Sequence, residues 1–322
     1  MILPRRAVCA LPLASPALAQ GRFPEKPIRL IVPWTPGGAT DIQMRTIAEI
    51  AARHLGQPVV VENRPGASGT MGAQHLAREA RPDGYTLSQM PLGVFRFAAL
   101  MRANGQQPPY DPLRDFTWVI RIAGYMGGVV VRPDAPWRSM VELVDHARRH
   151  PGSLFYGTPG ANTTDVVMRR LARVVGVEWT AVPFRGAAPN LSALLAGNIH
   201  FSAETSAWAD MVMEGRLRLL AVYTATRAER FPHVPTFRDF GWDVYSDSAY
   251  GFAGPRGMEP RVVGILHDAF KAALFDPAHL AVLRRFDMPV RYLDPEAYAA
   301  SVIEENEREI ETVRELNLRL GG

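Results

Sequence analysis

The chain has 322 residues, 47% hydrophobic and 21% charged, with a mean hydropathy of −0.06. That is a globular composition with enough apolar content for one large or two medium domains, and beyond the first twenty residues no stretch approaches the roughly 18 apolar residues a membrane span needs. The formal charge of +4 comes almost wholly from dispersed arginines, Lys26 and Lys271 being the only lysines, and no basic stripe interleaved with aromatics is present, so nucleic acid is not an expected partner.

The segment "MILPRRAVCALPLASPALAQ" opens with Arg5 and Arg6, runs through a short apolar stretch and reaches Ala17-Leu18-Ala19 before Gln20. Small residues at the −3 and −1 positions predict a signal peptide over residues 1–19, and hence export. Its loss takes the 36 basic residues to 34 against 32 acidic. It also removes Cys9, the only cysteine, so no disulfide or thiol chemistry is expected of the mature chain.

From residue 27 strands and helices alternate. "PIRLIVPW" reads as a buried strand and "ATDIQMRTIAEIAARHLG" as a helix whose inward period runs Ile42, Arg45 (its stem), Ile47, Ala48, Ala51 and Leu55. "QPVVVENRPG" is a strand, "SGTMGAQHLAREARPDG" a helix and turn, and "YTLSQMPLG" a strand. This βαβαβ order predicts a parallel sheet covered by helices. "FTWVIRIAGYMGGVVVRPD" is extended, and a second series follows: helix "SMVELVDHARRHPG", strand "SLFYGTPG", helix "ANTTDVVMRRLARVVG", strand "EWTAVPFRG", helix "AAPNLSALLAG", and strands "IHFSAET" and "RLRLLAVYT". After a Pro-punctuated loop region come the helices "PRVVGILHDAFKAALFD" and "DPEAYAASVIEENEREIETVREL". The last has a narrow apolar stripe of Ile303, Ile310, Val313 and Leu316, expected to pack on its own domain. Two doubly wound α/β units are expected, with crossovers near Ala123-Gly124 and Tyr245-Ser246. Lobe 1 would comprise residues 20–123 and 246–322, and lobe 2 residues 124–245.

Two turns match. In one, Trp34-Thr35-Pro36-Gly37-Gly38 leads to a helix opening at Ala39-Thr40-Asp41; in the other, Thr158-Pro159-Gly160 leads to one opening at Ala161-Asn162-Thr163-Thr164. Each presents N–H groups without partners inside the helix, at the positive end of its dipole, where an anion can bind without an arginine. In open α/β sheets such loops lie at the carboxyl ends of the strands, where ligands sit. Neither turn fits GxxxxGK[ST] or GxGxxG. Asp41 reads either as a general base or, more simply, as a helix-start carboxylate. "GASGT" lacks the spacing of a nucleophile elbow, and the i, i+4 pair His146 and His150 in "HARRH" reads as a solvated face rather than a metal site. No catalytic residue, metal or cofactor is expected.

These motifs carry a resemblance. "FPEKPIRLIVPWTPGGATD", "LGQPVVVENRPGASGTMGA", "RPDGYTL", "PGSLFYGTPGANT", "VPFRGAAPNLSALLAGNI", "GRLRLLAVYTATR", "FPHVPTF" and "YGFAGPRGMEP" follow one another as in the Bug (TctC-like) substrate-binding proteins of tripartite tricarboxylate transporters, which the chain resembles over nearly its whole mature length. The resemblance implies a type II periplasmic binding protein, two α/β domains closing like a flytrap on a carboxylated metabolite, exported, monomeric and serving membrane permease subunits. It implies ligand contacts at Trp34 to Asp41 and Thr158 to Thr163, at Gly66-Ala67, in the loop Pro91-Leu92-Gly93, and at Glu204. The family usually has a smaller aromatic at Trp34, often small hydroxyls at Pro91-Leu92, and aspartates at His200 and Glu204, which points away from citrate or an acidic amino acid. Trp34 is alternatively a core aromatic, and Glu204 a surface or interdomain carboxylate. If Glu204 faces the ligand, a hydroxyl or amine is favoured there, because a carboxylate would be repelled. The other readings are a periplasmic sensor that signals to a membrane kinase and a carboxylate-acting enzyme.

Overall fold

The computed structural model describes residues 22–158, 163–184 and 186–319. The expected signal peptide with Cys9, and the loop residues Gly160, Ala161 and Asn162, lie outside the described residues. The first part of the chain forms β1 (Ile28–Val32), α1 (Ala39–Leu55), β2 (Val59–Asn63), α2 (Met71–Arg78), β3 (Thr86–Met90), α3 (Gly93–Ala103) and β4 (Phe116–Ala123). The middle forms β5 (Gly127–Val131), α4 (Met140–Arg149), β6 (Phe155–Thr158), α5 (Thr163–Val175), β7 (Thr180–Pro183), α6 (Ala187–Leu195), β8 (Phe201–Thr205), α7 (Ala209–Met213) and β9 (Arg218–Val222). The chain returns through β10 (Tyr250–Pro255), α8 (Pro260–Leu274), α9 (Pro277–Arg285), β11 (Val290–Leu293) and α10 (Pro295–Glu315).

Helix starts follow local chemistry. Ser139 Oγ accepts from Glu142 N, and Asp276 and Asp294 cap α9 and α10, each followed by proline at the first helical position. The strands form two mixed sheets, β11-β4-β10-β3-β1-β2 and β7-β6-β8-β5-β9. Two α/β domains are therefore present, each with its own core. Leu30, Met44, Ile47, Phe252 and Phe270 are buried in the first; Val129, Leu143, Tyr156, Leu171 and Phe201 are buried in the second.

The expectation of parallel sheets holds for β2-β1-β3 and for β7-β6-β8. It fails elsewhere: β10 runs antiparallel to β3 and β4, β11 to β4, and β5 to β8 and β9. Connectivity is the cause. The chain leaves the first sheet from β4 and comes back through β10, so the returning strand enters where the departing one ends and must run against it. The two crossovers lie side by side. Tyr125 N donates to Asp247 O at 3.0 Å and Ser246 N to Tyr223 O at 2.8 Å. A Cβ at Gly124 would stand 2.3 Å from Asp247 O, so only glycine permits this approach.

Three sequence readings need correction. Arg45 is exposed; the buried face of α1 instead includes Asp41, Gln43 and Met44. Helix α3 and strands β10 and β11 escaped notice, α3 because its inner face carries a charge, Arg96. The apolar stripe of α10 is only partly right: Val313 is buried and Ile310 packs beside it, but Ile303 is 52% exposed, and the buried face runs Tyr298, Val302, Asn306, Glu309 and Val313. Polar residues sit there because Arg96 Nε and Nη2 donate to Glu309 Oε2 and Oε1 at 2.6 and 3.0 Å, with only 4% and 6% of the two side chains exposed. Removing one partner of such a pair strands a buried charge. Glu309→Gln is expected to lower unfolding free energy by about 3 kcal/mol in urea titrations. Arg96→Met with Glu309→Leu should recover most of that loss, and equal destabilisation in the double variant would refute the account.

Candidate ligand-binding site

A cavity of about 250 Å³ opens between the two sheets, beside the crossovers. Trp34, Thr40, Pro91, Leu92, Arg96, Phe97 and Tyr125 line it from one side; Thr163, Thr164, Gly186, Ala187 and Glu204 line it from the other. Most of these residues follow the carboxyl ends of β1, β3, β6, β7 and β8, where α/β sheets bind ligands.

The turn after β1 is built around Asp41, which is 4% exposed. Its Oδ2 accepts from Gly37 N at 2.9 Å and Arg45 Nε at 3.0 Å, and its Oδ1 accepts from Asn63 Nδ2 at 2.8 Å. Asn63, at the end of β2, also donates to Trp34 O at 3.1 Å. Burial pushes the Asp41 pKa up, but the hydrogen bonds from Arg45, Gly37 and Asn63 and the Arg45 charge outweigh it, leaving the group below the usual carboxylate range. Asp41 is thus a fully engaged helix-start carboxylate outside the cavity lining, which removes the general-base reading. The two glycines differ. Gly37 has φ +85°, a conformation that favours glycine. Gly38 is extended at φ −77° and ψ 169° and makes no side-chain cap. The first helical bond is Ile42 N to Gly38 O, so the N–H groups of Gly38, Ala39 and Thr40 precede it and have no hydrogen-bond partner among the described residues.

The first turn of α5 repeats the aspartate–arginine pair. "TDIQMR" at residues 40–45 and "TDVVMR" at residues 164–169 share Thr-Asp-x-x-Met-Arg, a signal the sequence reading missed. Asp165, also buried, accepts from Arg169 Nε at 2.8 Å as Asp41 does from Arg45, and from Tyr156 Oη at 2.8 Å.

The expected contacts divide. Trp34, Thr40, Leu92, Thr163 and Glu204 line the cavity. Thr35, Pro36, Gly37 and Gly38 form an exposed rim. Thr158 is buried, its hydroxyl 2.9 Å from that of Thr164. Gly66 and Ala67 stand back from the lining, and their neighbour Ser68 contributes instead. All four residues of "GASG" (66–69) have positive φ, including the non-glycines Ala67 (44°) and Ser68 (55°), the kind of backbone strain that clusters at ligand clamps. Close packing explains it: a Cβ at Gly93 would lie 2.5 Å from Ser68 O, and one at Gly69 would lie 3.0 Å from Pro91.

Tyr125 and Arg96 are among the lining residues that went unrecognised in the sequence. Tyr125, in the crossover after β4, receives hydrogen bonds from Thr40 Oγ1 at 3.0 Å and Gln89 Nε2 at 2.9 Å and stacks on Tyr250. Burial pushes its pKa up to about 12, against the opposing pull of Thr40, Gln89 and the Trp34 indole, so it is a neutral donor at physiological pH. Arg96 spends Nε and Nη2 on Glu309. Glu204 is 2% exposed, so it is no surface carboxylate. His146 and His150 lie with ring centroids 4.8 Å apart and their planes tilted at 46°, and no group of three or more His, Cys, Asp or Glu suited to a metal occurs among the described residues.

Asp41→Ala should cost about 0.5–2 kcal/mol of stability, the range for a lost helix-start cap. Because the folded-state pKa is depressed, Asp41's contribution is fully present above about pH 4 and lost as pH falls through the folded value. Unfolding titrations should therefore show the deficit at pH 7 and see it shrink toward pH 3; a pH-independent deficit would contradict this role.

The family model for the tripartite tricarboxylate transporter family receptor, TctC, matches residues 43–318. The chain is 41% identical over 315 residues to the UPF0065 protein in the gbd 5' region of Cupriavidus necator, covering 97% of this chain and 94% of that protein. It is similar to a Rhodopseudomonas palustris protein solved with adipate (TM-score 0.81, 31% identity, 92% of this chain and 99% of that one). It is also similar to MatC from Rhodopseudomonas palustris with bound malate (TM-score 0.77, 29% identity, 90% and 100%). The chain belongs to the TctC family of tripartite tricarboxylate transporter receptors.

Proposed function

We propose that this protein is a periplasmic receptor for a small carboxylate, which it binds in the cavity between its two domains and delivers to a tripartite tricarboxylate-type permease. The observation that carries the reading is the open start of α1. The N–H groups of Gly38, Ala39 and Thr40 precede the first helical hydrogen bond, at the positive end of the dipole, beside a cavity that Thr40 lines. The start of α5 faces the same cavity through Thr163 and Thr164. Adipate and malate in the two solved relatives support a carboxylate as the ligand class. Trp34, Pro91, Leu92, Phe97 and Leu100 would enclose an apolar body, with Tyr125 and the threonines as neutral donors.

In this reading the mobile lobes are residues 20–123 with 246–322, and residues 124–245. The division of the strands between the two sheets supports it. The paired crossovers would be the hinge, and export would follow from the signal peptide.

Gly38→Asp separates binding from folding. The extended backbone accepts a side chain, with only Thr35 O within 4 Å at 3.9 Å, and an aspartate there would cap α1 with its own carboxylate. Stability should hold or rise by a few tenths of a kcal/mol, while affinity for the carboxylate falls about tenfold or more, some 1.4 kcal/mol. A thermal-shift panel of mono-, di- and tricarboxylates identifies the ligand, since one present at about 100 times its Kd stabilises by about 2.7 kcal/mol. Unchanged affinity in Gly38→Asp would remove the start of α1 from the site; no shift with any carboxylate would end the reading.

A further inference from the structure

Among the described residues the buried carboxylates are Asp41, Asp165, Glu204 and Glu309. Three face an arginine: Asp41 with Arg45, Asp165 with Arg169, Glu309 with Arg96. Glu204 does not. Its hydrogen bonds all come from neutral donors: Asn190 Nδ2 on Oε2 at 3.1 Å, and Thr205 N and Oγ1 on Oε1 at 2.8 and 3.1 Å.

Among the described residues its surroundings supply no cation. Helix α6 brings Asn190, and β5 pairs with Glu204 through Gly128. Strand β9 brings the Tyr223 hydroxyl and the turn after β8 brings the Trp208 indole, both to the Glu204 carbonyl, at 3.3 and 3.0 Å. Helix α5 brings Thr163 and Thr164 to the shared cavity. Among the described residues the one charged side chain lining it besides Glu204 is Arg96, already neutralised by Glu309.

A buried carboxylate that meets neutral donors but no counterion is costly to keep ionised, and the protonated form is favoured. Burial accordingly pushes the Glu204 pKa up, against the hydrogen bonds from Thr205 and Asn190. A ligand carboxylate entering the same cavity adds a like charge and expels water, and both effects favour the protonated acid further.

Resting on the carboxylate-receptor reading, we propose that Glu204 binds a proton together with the ligand, so that the receptor captures its carboxylate and one proton as a unit. The proton comes from solvent. Oε2, with a single hydrogen-bond donor, has the position to carry it, and the neutral acid then becomes a donor facing the ligand.

Isothermal titration calorimetry of the mature chain tests this, with adipate, malate and the remaining mono- and dicarboxylates as probes, in phosphate and in Tris between pH 5 and 9. Above pH 6 the probes are ionised, carboxylates titrating near pH 4. Proton capture appears as a difference in heat between the buffers that rises toward one proton with pH. The Kd should weaken by up to about tenfold per pH unit above the free Glu204 pKa. Glu204→Gln should lose the buffer difference and the pH slope together. Binding with equal heats in both buffers and a flat Kd would overturn the inference and leave the receptor reading standing. A pH slope that persists in Glu204→Gln would assign the proton elsewhere and also overturn it. Absence of binding by every probe in the wild-type chain would instead sink the receptor reading, and the inference with it.

Discussion

The site depends on a carboxylate three residues into a helix. Asp41 takes the Gly37 N–H, the Arg45 guanidinium and the Asn63 amide, and Asn63 in turn holds the Trp34 carbonyl. One side chain thereby fixes a left-handed glycine, the first turn of α1, the end of β2 and the backbone of the cavity's largest aromatic wall residue. The capping is displaced in a consequential way. Because Asp41 reaches back to Gly37, it leaves the three following N–H groups unspent, whereas a capping side chain at Gly38 would compete for the N–H of Thr40 or Asp41. Asp165 and Arg169 repeat the aspartate–arginine pair in the second domain. A ligand anion near these helix starts would meet dipoles rather than a formal charge, since both aspartates are balanced by their own arginines.

Chain crossing sets the rest of the geometry. Because β4 leaves the first sheet where β10 returns, residues 124–126 and 246–249 run together, and Tyr125 and Ser248 join the cavity wall. Tyr125 then links crossover to turn through Thr40 and to β3 through Gln89. If the crossovers are the hinge, domain closure would act directly on the hydroxyl of a lining residue. That couples the ligand to the conformational change through contacts rather than distance.

The sequence displayed whatever is local and periodic. Strands such as "IRLIV", caps such as "DPEA" and the paired glycine turns follow from short-range rules, and the two-domain α/β class came with them. Long-range features were hidden. Nothing local marks β10 as antiparallel, because direction depends on where the chain re-enters the sheet. The inner face of α10 was misjudged because Glu309 looks like surface until Arg96, 213 residues away, is seen opposite it. The Thr-Asp-x-x-Met-Arg repeat was visible all along but belonged to no named motif. At Gly66 and Ala67 the sequence marked the loop, and the structure adds their neighbour Ser68 to the cavity lining.

The treatment of charge around the cavity is uneven, and that unevenness has a physical meaning. Burying a carboxylate is tolerable when a guanidinium accompanies it, and the chain provides one for Asp41, Asp165 and Glu309. Had Glu204 served only to fill β8, an uncharged residue would hydrogen-bond to Asn190 and Thr205 at less cost. A carboxyl group kept in the wall with no counterion among the described residues offers what an amide does not: it can change its charge when its surroundings change. On the opposite wall Arg96 has lost that freedom to Glu309. The two walls are therefore unequal partners, one with its charges fixed in pairs and one with a titratable group exposed to whatever enters. A ligand's own charge would then be matched less by a standing counterion than by the open start of α1 and by the protonation state it imposes on Glu204.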